Sequence, residues 1–437
     1  MDALTSAPVA QAVVIPVTSS EAPPLTVGTD DGPIPSQPDV DQEPETIVLG
    51  TTLTTPTVNE PDSTTTTTTQ APTTTASTTT AAPSTTAAET PLTTKSPATK
   101  APTTTAAPVD NGPVKVSNSG HANGGGFSNT PIEAALAQAK PGTVFAFEPG
   151  QHKALKVSSV NGAQGNPIVL TAADKNNRPV FTDGGYTARA GIEVTGSSNV
   201  AIAYLDVRKS MWGIRVEGSS GIVIDAARVS DIGQEGIRVT QRSSWVTIRN
   251  SVISGTGRRS GTASDGQSYS LFGEGIYIGS GQDSSDEVHH IVISGNDISQ
   301  TGTEAIDVKA PAHDVEITKN VIHDIQTGTS GAIVVHLKDD YVATNPNIRV
   351  TYNKISNIST NSGHRDGVGV VIGSSVDVIG NTIRNTAHYG IRIEDKGSQG
   401  GKITVNIVDN TFASNGQGAI WQSGNKAKVN TSGNTGA

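Results

Sequence analysis

Residues 191–240 read GIEVTGSSNVAIAYLDVRKSMWGIRVEGSSGIVIDAARVSDIGQEGIRVT, and one short pattern, small–Ile/Val–x–Ile/Val, recurs in them at 191, 213 and 236. The pattern continues as GIYI at 275, AIDV at 305, AIVV at 332, GVVI at 369, GIRI at 390 and AIWQ at 419, with spacings of 22, 23, 39, 30, 27, 37, 21 and 29. A base period near 22 with longer insertions in some units marks a solenoid. Leucine-rich repeats share that period but need leucines and a helical return arm, and neither is present. A second Val/Ile-rich run follows in each unit and often closes on asparagine, at Asn250, Asn296, Asn320, Asn353 and Asn381. Asparagine tolerates the left-handed conformation of a tight bend. The expected fold is all-β: a single-stranded right-handed parallel β-helix whose coils bury Ile192, Ile214, Ile237, Ile276, Ile306, Ile333, Val370 and Ile391.

Working outward, Thr130-Pro131-Ile132-Glu133 reads as a helix start with a capping box and proline at the first helical position, stopped by Pro141-Gly142. This helix is expected to cap the open end of the core. Residues 1–113 are Thr, Pro, Ala and Ser with too little apolar surface to offset the entropy of ordering, so a disordered tail is expected there and a β-helix domain over 114–437. Such a tract serves as an O-glycosylated stalk or as a plain linker.

The 437 residues hold 30 Lys+Arg against 40 Asp+Glu, a net charge of -10, and no cysteine. The absence of cysteine excludes disulfides, thiolate zinc sites, iron–sulfur clusters and a cysteine nucleophile. The acidic balance argues against a general nucleic-acid binder. No apolar run is long enough to span a membrane, and residues 1–17 show no signal peptide.

Stacked coils lie ~4.8 Å apart, so each column of the repeat becomes a ladder in space. One outward column holds Glu235, Glu274 and Glu304; the next holds Arg215, Arg238, Tyr277 and Asp307; a third holds Glu217, Thr240, Gly279, Lys309 and His336. Adjacent carboxylates repel unless a cation compensates them. Insertions at 258–272, 338–347 and 359–365 are expected to flank this wall as a groove for a polymer. Elsewhere, His289-His290 follows Asp283, Asp286 and Glu287 and reads as a solvated turn or a metal site.

The stretch Glu304-Ala305-Ile306-Asp307-Val308-Lys309, with GEGIYIGSG at 273–281 before it, resembles the pectin-lyase-like β-helix polysaccharide lyases related to chondroitinase B and alginate lyase. The resemblance spans about 213–395. It implies Glu304 as a calcium-ligand acid, Asp307 as a shifted one, and Lys309 as Brønsted base. The Arg-His-Gly of that group is replaced by Val335-His336-Leu337-Lys338, leaving Tyr277, His336 and Lys338 as substitutes by position. The implied activity is β-elimination on a uronic-acid polymer of the alginate, pectate or glucuronan class. Its Ca2+ would sit on Glu274, Glu304 and Asp307 with Glu235 beside them, and Arg215, Arg238 and Lys338 would hold sugar carboxylates. A lysine close to a metal or guanidinium is expected to have a lowered pKa. The expected setting is extracellular or cell-surface, as a monomer acting on an acidic polysaccharide.

Three alternatives stay open. A uronate C5-epimerase would use the same carbanion, although its Asp-Pro-His-Asp string is absent. A polygalacturonase-type hydrolase would need Asn-Thr-Asp and Gly-His-Gly strings, also absent. A non-catalytic carbohydrate-binding or adhesion module needs only the fold.

Overall fold

Short Val/Ile strands separated by Gly, Ser and Asn bends have one way to bury both apolar faces, which is to coil and stack. The computed structural model describes residues 113–117, 130–186, 189–259, 261, 273–283, 285–327, 330–336, 346–360, 366–395 and 403–436. These lie in the unit Pro108–Ala437. The Thr/Pro-rich tail, Lys338 and most of the three expected insertions lie outside the described residues.

The strands, three to seven residues long, form sheets of twelve, ten and ten members in which every pairing is parallel. Apart from the first pair, Val114–Val116 with Val144–Phe147, hydrogen-bonded neighbours are three strands apart in the chain, because each coil contributes one strand to each sheet. The result is a right-handed parallel β-helix, the hand that right-twisted parallel crossovers impose. The recurring pattern forms one of the ten-stranded sheets, with strands Leu155–Ser158, Ala190–Thr195, Trp212–Glu217, Ile237–Thr240, Ile276–Ile278, Ile306–Val308, Gly331–Val335, Val368–Ile372, Tyr389–Ile393 and Gly418–Gln422. It is called the repeat sheet below.

Its register pairs Ile192 with Ile214, then Ile237, Ile276, Ile306, Ile333, Val370 and Ile391. All eight side chains are fully buried in one core that runs the length of the solenoid. Each such side chain contributes about 1.5–3 kcal/mol. The small residue opening the pattern has a steric cause. A Cβ on Gly213 would lie 2.2 Å from the carbonyl oxygen of Gly236, and one on Gly236 would lie 2.6 Å from that of Gly275.

The helix Thr130–Ala137 is the sole helix among the described residues. Ile132 and Leu136, four apart and therefore on one face, are buried in the core, and the helix packs on the strand Leu155–Ser158. None of the described helices is long and apolar enough to cross a membrane.

The asparagines do something other than the expected bend. Asn250 does adopt the left-handed conformation (φ 51°), but at the later coils that role falls to the residue before the asparagine: Gly295, Lys319, Tyr352 and Gly380. The asparagines themselves point inward and stack. Asn296 Nδ2 donates to Asn320 Oδ1 at 3.0 Å, Asn320 to Asn353 at 2.9 Å, Asn353 to Asn381 at 3.0 Å and Asn381 to Asn410 at 3.0 Å. Each Nδ2 also donates to a backbone carbonyl, and each Oδ1 accepts the backbone N–H of the residue stacked before it, Ser251 for Asn296 and Asn320 for Asn353. Replacing Asn353 by alanine leaves buried donors of Asn320 and the carbonyl of Ile317 without partners. A loss of about 2–4 kcal/mol is expected, read as a lowered urea midpoint.

Candidate functional site

On the outer face of the repeat sheet the register fixes a ladder that runs Lys156, Glu193, Arg215, Arg238, Tyr277, Asp307, Val334, Val371 and Arg392. The unbroken polar run of this ladder, from Lys156, ends at Asp307. Beyond it Val334 and Val371 form a small apolar cluster with Val368, against which Tyr389 packs. These valines are buried, and the ladder turns charged again at Arg392, which is ion-paired with Glu394.

Beside that ladder, residues just before the strands bring Glu274 and Glu304 to Asp307. One carboxylate oxygen from each lies within 4.8 Å of the others, and all three residues are buried. Burial, then the neighbouring carboxylates of Glu235, Glu304 and Asp307, pushes Glu274 well above the usual carboxylate range. Burial likewise raises Asp307 to about 6, although the ammonium of Lys309 pulls it down. Glu274 Oε2 accepts the backbone N–H of Gly273 at 2.9 Å, and Glu304 Oε1 accepts the hydroxyl of Ser330. Asp307 Oδ1 is buried and has no donor among the described residues.

Lys309 sits at the rim, its side chain 31% exposed, in an ion pair with Asp307 Oδ2. Burial would lower its pKa, but the Asp307 carboxylate outweighs burial and holds the ammonium above its ordinary value. The expected lowering is thus reversed in this charge arrangement, because the close charge is an anion two residues earlier on the same strand face. Tyr277 lies between two cations, with Arg238 5.1 Å and Lys309 5.5 Å from its ring centre. Its hydroxyl accepts the N–H of Gly281 at 3.0 Å, and burial raises its pKa.

Arg238 and Arg215 are positioned by acids. Arg238 Nη1 donates to Glu235 Oε1 at 2.9 Å. Arg215 pairs with Glu217, lies 4.0 Å from Glu193 and stacks 4.5 Å above Trp212. Glu235, the partner of Arg238, is not one of the three carboxylates with oxygens within 4.8 Å of one another, although its charge acts on Glu274.

His336 is a correction. Its side chain is fully buried and burial lowers its pKa to about 4, so it is a neutral interior group rather than part of the exposed wall. The cause is local: His336 has φ 53°, and a left-handed residue breaks the in–out alternation on which the outward reading rested. Residues the sequence reading passed over are Ser330 and Glu193. Ser330 was reachable from the register, since Ile306 pairs with Ile333 and so sets Ser330 one residue before the partner of Glu304.

Donor chemistry tests whether a cation suits the triad. Three buried carboxylates, one with an oxygen lacking a donor among the described residues, form an all-oxygen set that fits a hard divalent ion such as Ca2+.

A family model described as right handed beta helix region matches residues 155–285, 190–363 and 269–435. Among solved structures, an alginate lyase from Paenibacillus sp. str. FPU-7 is 21% identical with a TM-score of 0.53, covering 70% of this chain and 96% of that one. The A-module of the Azotobacter vinelandii mannuronan C-5 epimerase AlgE6 is 15% identical with a TM-score of 0.43, covering 70% and 94%. The pectate lyase Pel9A is 13% identical with a TM-score of 0.42, covering 74% and 78%. At these identities the likeness is one of fold. No curated protein matches the chain.

Proposed function

This chain belongs to the right handed beta helix family, and from that premise we propose that it cleaves a uronic-acid-containing polysaccharide by β-elimination, as an extracellular or surface-attached monomer. The observation that supports this most is the placement of a buried carboxylate trio, a lysine and a tyrosine on consecutive coils of one accessible wall. The alginate lyase that shares the fold agrees with the substrate class.

β-Elimination needs three things: neutralisation of the uronate carboxylate, a base for the proton at C5, and a donor to the oxygen leaving C4. Glu274, Glu304 and Asp307 would hold Ca2+, which supplies the neutralising charge when bound. Lys309 is the base. Its proton is held by the pairing with Asp307, so any weakening of that pair frees the amine. Tyr277 keeps its proton through the neutral range and is the donor to the leaving oxygen. Arg215, Arg238 and Lys338 bind neighbouring sugar carboxylates. The acids that hold both arginines fix their direction and reduce the entropy lost on binding.

The proposal is tested by incubating the purified chain with alginate, pectate, glucuronan and chondroitin and following the ultraviolet absorbance of an unsaturated uronate. Product that disappears with a chelator supports it; an altered epimer ratio in unshortened polymer indicates the epimerase instead. For an accepted polymer, Arg238→Ala is expected to raise KM about 10-fold or more, since a charge-assisted hydrogen bond contributes about 1.5–3 kcal/mol, with a smaller change in kcat.

One observation favours a second reading. Lys309, Arg215 and Arg238 are all ion-paired, as in a surface that binds an anionic polymer without transforming it. Binding without product in the same assay would establish that module.

A further inference from the structure

The other ten-stranded sheet, which begins with Gly150–Lys153, Pro179–Thr182, Asp206–Arg208 and Arg228–Ser230, carries a cluster that the proposed reaction does not use. Its register pairs Val180 with Asp206 and Asp206 with Arg228, so residues of three successive coils stack ~4.8 Å apart. Lys175 and Arg178 lie at the corner where the chain enters the second of these strands. Lys175, Arg208 and Arg228 are exposed. In a chain of net charge -10 this is a local gathering of positive charge.

The cations are held in ways that leave most of that charge in place. Lys175 Nζ stands 4.3 Å and Arg178 Cζ 5.4 Å from the ring centre of Tyr204, and a π-face orients a cation without neutralising it. Arg178 Nη1 donates to the carbonyl of Ala226 at 2.6 Å, and its Nε donates to the carbonyl of Lys175 at 3.1 Å. Asp206 is buried and shared, 3.7 Å from Arg178 and 3.1 Å from Arg208, whose side chain stays 49% exposed. Arg228 makes no ion pair among the described residues. Asp174 accepts the backbone N–H of Asn176 at 2.8 Å, and Asp225 on the next coil is balanced by Arg249 at 2.9 Å. Burial, then repulsion from Arg228, lowers the pKa of Arg178, the direction that an excess of positive charge produces.

We propose that Lys175, Arg178, Arg208 and Arg228 form a second docking surface for an acidic polysaccharide, which binds the carboxylates of a polyuronate strand without transforming it. The ligand class rests on the function proposed above; the surface itself rests on charge complementarity, on a sheet other than the repeat sheet. Exposed guanidinium groups such as those of Arg208 and Arg228 take carboxylates in bidentate pairs. Cations already oriented by Tyr204 and the Ala226 carbonyl lose less freedom when a ligand arrives. A nucleic acid would need a longer basic stripe than one corner of three coils offers. A strand held here while another segment lies on the wall would keep the protein on its polymer between turnovers, the gain expected of two linked sites.

The test is calorimetric titration of the untagged full chain with alginate and with pectate, in a chelator that withholds Ca2+ from the triad and keeps the polymer intact. Arg208→Ala/Arg228→Ala, checked for the wild-type circular dichroism spectrum, should weaken binding about 10-fold or more and flatten its dependence on salt. Arg208→Lys/Arg228→Lys keeps both charges and should bind more tightly than the alanine variant. With Ca2+ restored, the alanine variant should cleave a short oligouronate at the wild-type rate, because neither arginine belongs to the wall. Absence of polyuronate binding by the wild type overturns the proposal, and so does unchanged affinity in the alanine variant. Tighter binding of duplex DNA than of either polyuronate overturns the choice of partner. Binding that depends on these arginines, with no product from the wild type, upholds this surface and refutes the cleavage instead, so the two failures are told apart.

Discussion

Lys309→Ala is expected to lower the rate of unsaturated-uronate formation by about 10²–10⁴-fold, the usual contribution of a positioned general base, with KM changed far less. The expectation follows from geometry: Lys309 is the one amine in contact with the carboxylate group on the described wall, and its neighbour Tyr277 lies 5.5 Å from it, measured to the ring. The pKa adds a second signature. Asp307 holds the ammonium above its ordinary value, so the free amine is a minor form at neutral pH. The rate should therefore rise with pH through the neutral and into the alkaline range. Lys309→Arg separates base from mere cation. The guanidinium keeps the charge but does not release a proton in a protein, so this variant should be as inactive as the alanine one. Substantial activity in Lys309→Arg would show that the side chain only neutralises charge, and the base would have to be sought elsewhere. The comparison requires both variants to bind polymer, which a pull-down on the same polysaccharide checks.

How much of this wall was readable in the sequence depends on the length scale. The core column and the two ladders that contain Glu274, Glu304, Tyr277 and Asp307 were legible, because a strand period of two and a stacking coil convert spacing directly into position. The pairing of Asp307 with Lys309 follows from the same period, as residues two apart on one strand face, but the expected neighbour of Lys309 was a metal or a guanidinium. Its consequence was not, because the direction of the lysine's shift is decided by burial set against a close anion, and neither distance nor burial is written in a string of letters. Errors gather where the backbone turns left-handed. His336 turns inward at φ 53°, and the asparagines fall one residue past the left-handed position and so stack inside. The adjacent histidines at 289 and 290 both face out for the same reason. Asparagine and glycine announce such positions; histidine, tryptophan and tyrosine do not, and here they occupy several.

Glu274→Gln is expected to stabilise the protein at pH 8 by roughly 1–3 kcal/mol, the scale of an uncompensated buried charge, and to leave stability nearly unchanged at pH 4. The sign follows from the raised pKa values. In the unfolded chain Glu ionises near ~4.3 and Asp near ~3.9, whereas burial and mutual repulsion hold Glu274 well above that and Asp307 at about 6. Below the unfolded values both states are protonated and the full stability is present. As pH rises the unfolded chain releases its protons first, so stability falls until the folded groups ionise as well. Glutamine removes one member of the repelling set while its amide oxygen still accepts the N–H of Gly273. Ca2+ should do the same for the wild type, raising its melting temperature at pH 8 but not at pH 4, and should do less for Glu274→Gln, which has lost one of the three carboxylates. Thermal unfolding of both proteins at the two pH values, with and without Ca2+, reads all of these at once. Equal destabilisation of Glu274→Gln at both pH values would mean that Glu274 serves packing and its hydrogen bond alone. The charge strain attributed to the triad would then be absent, and with it the physical reason for the wall to take up a cation.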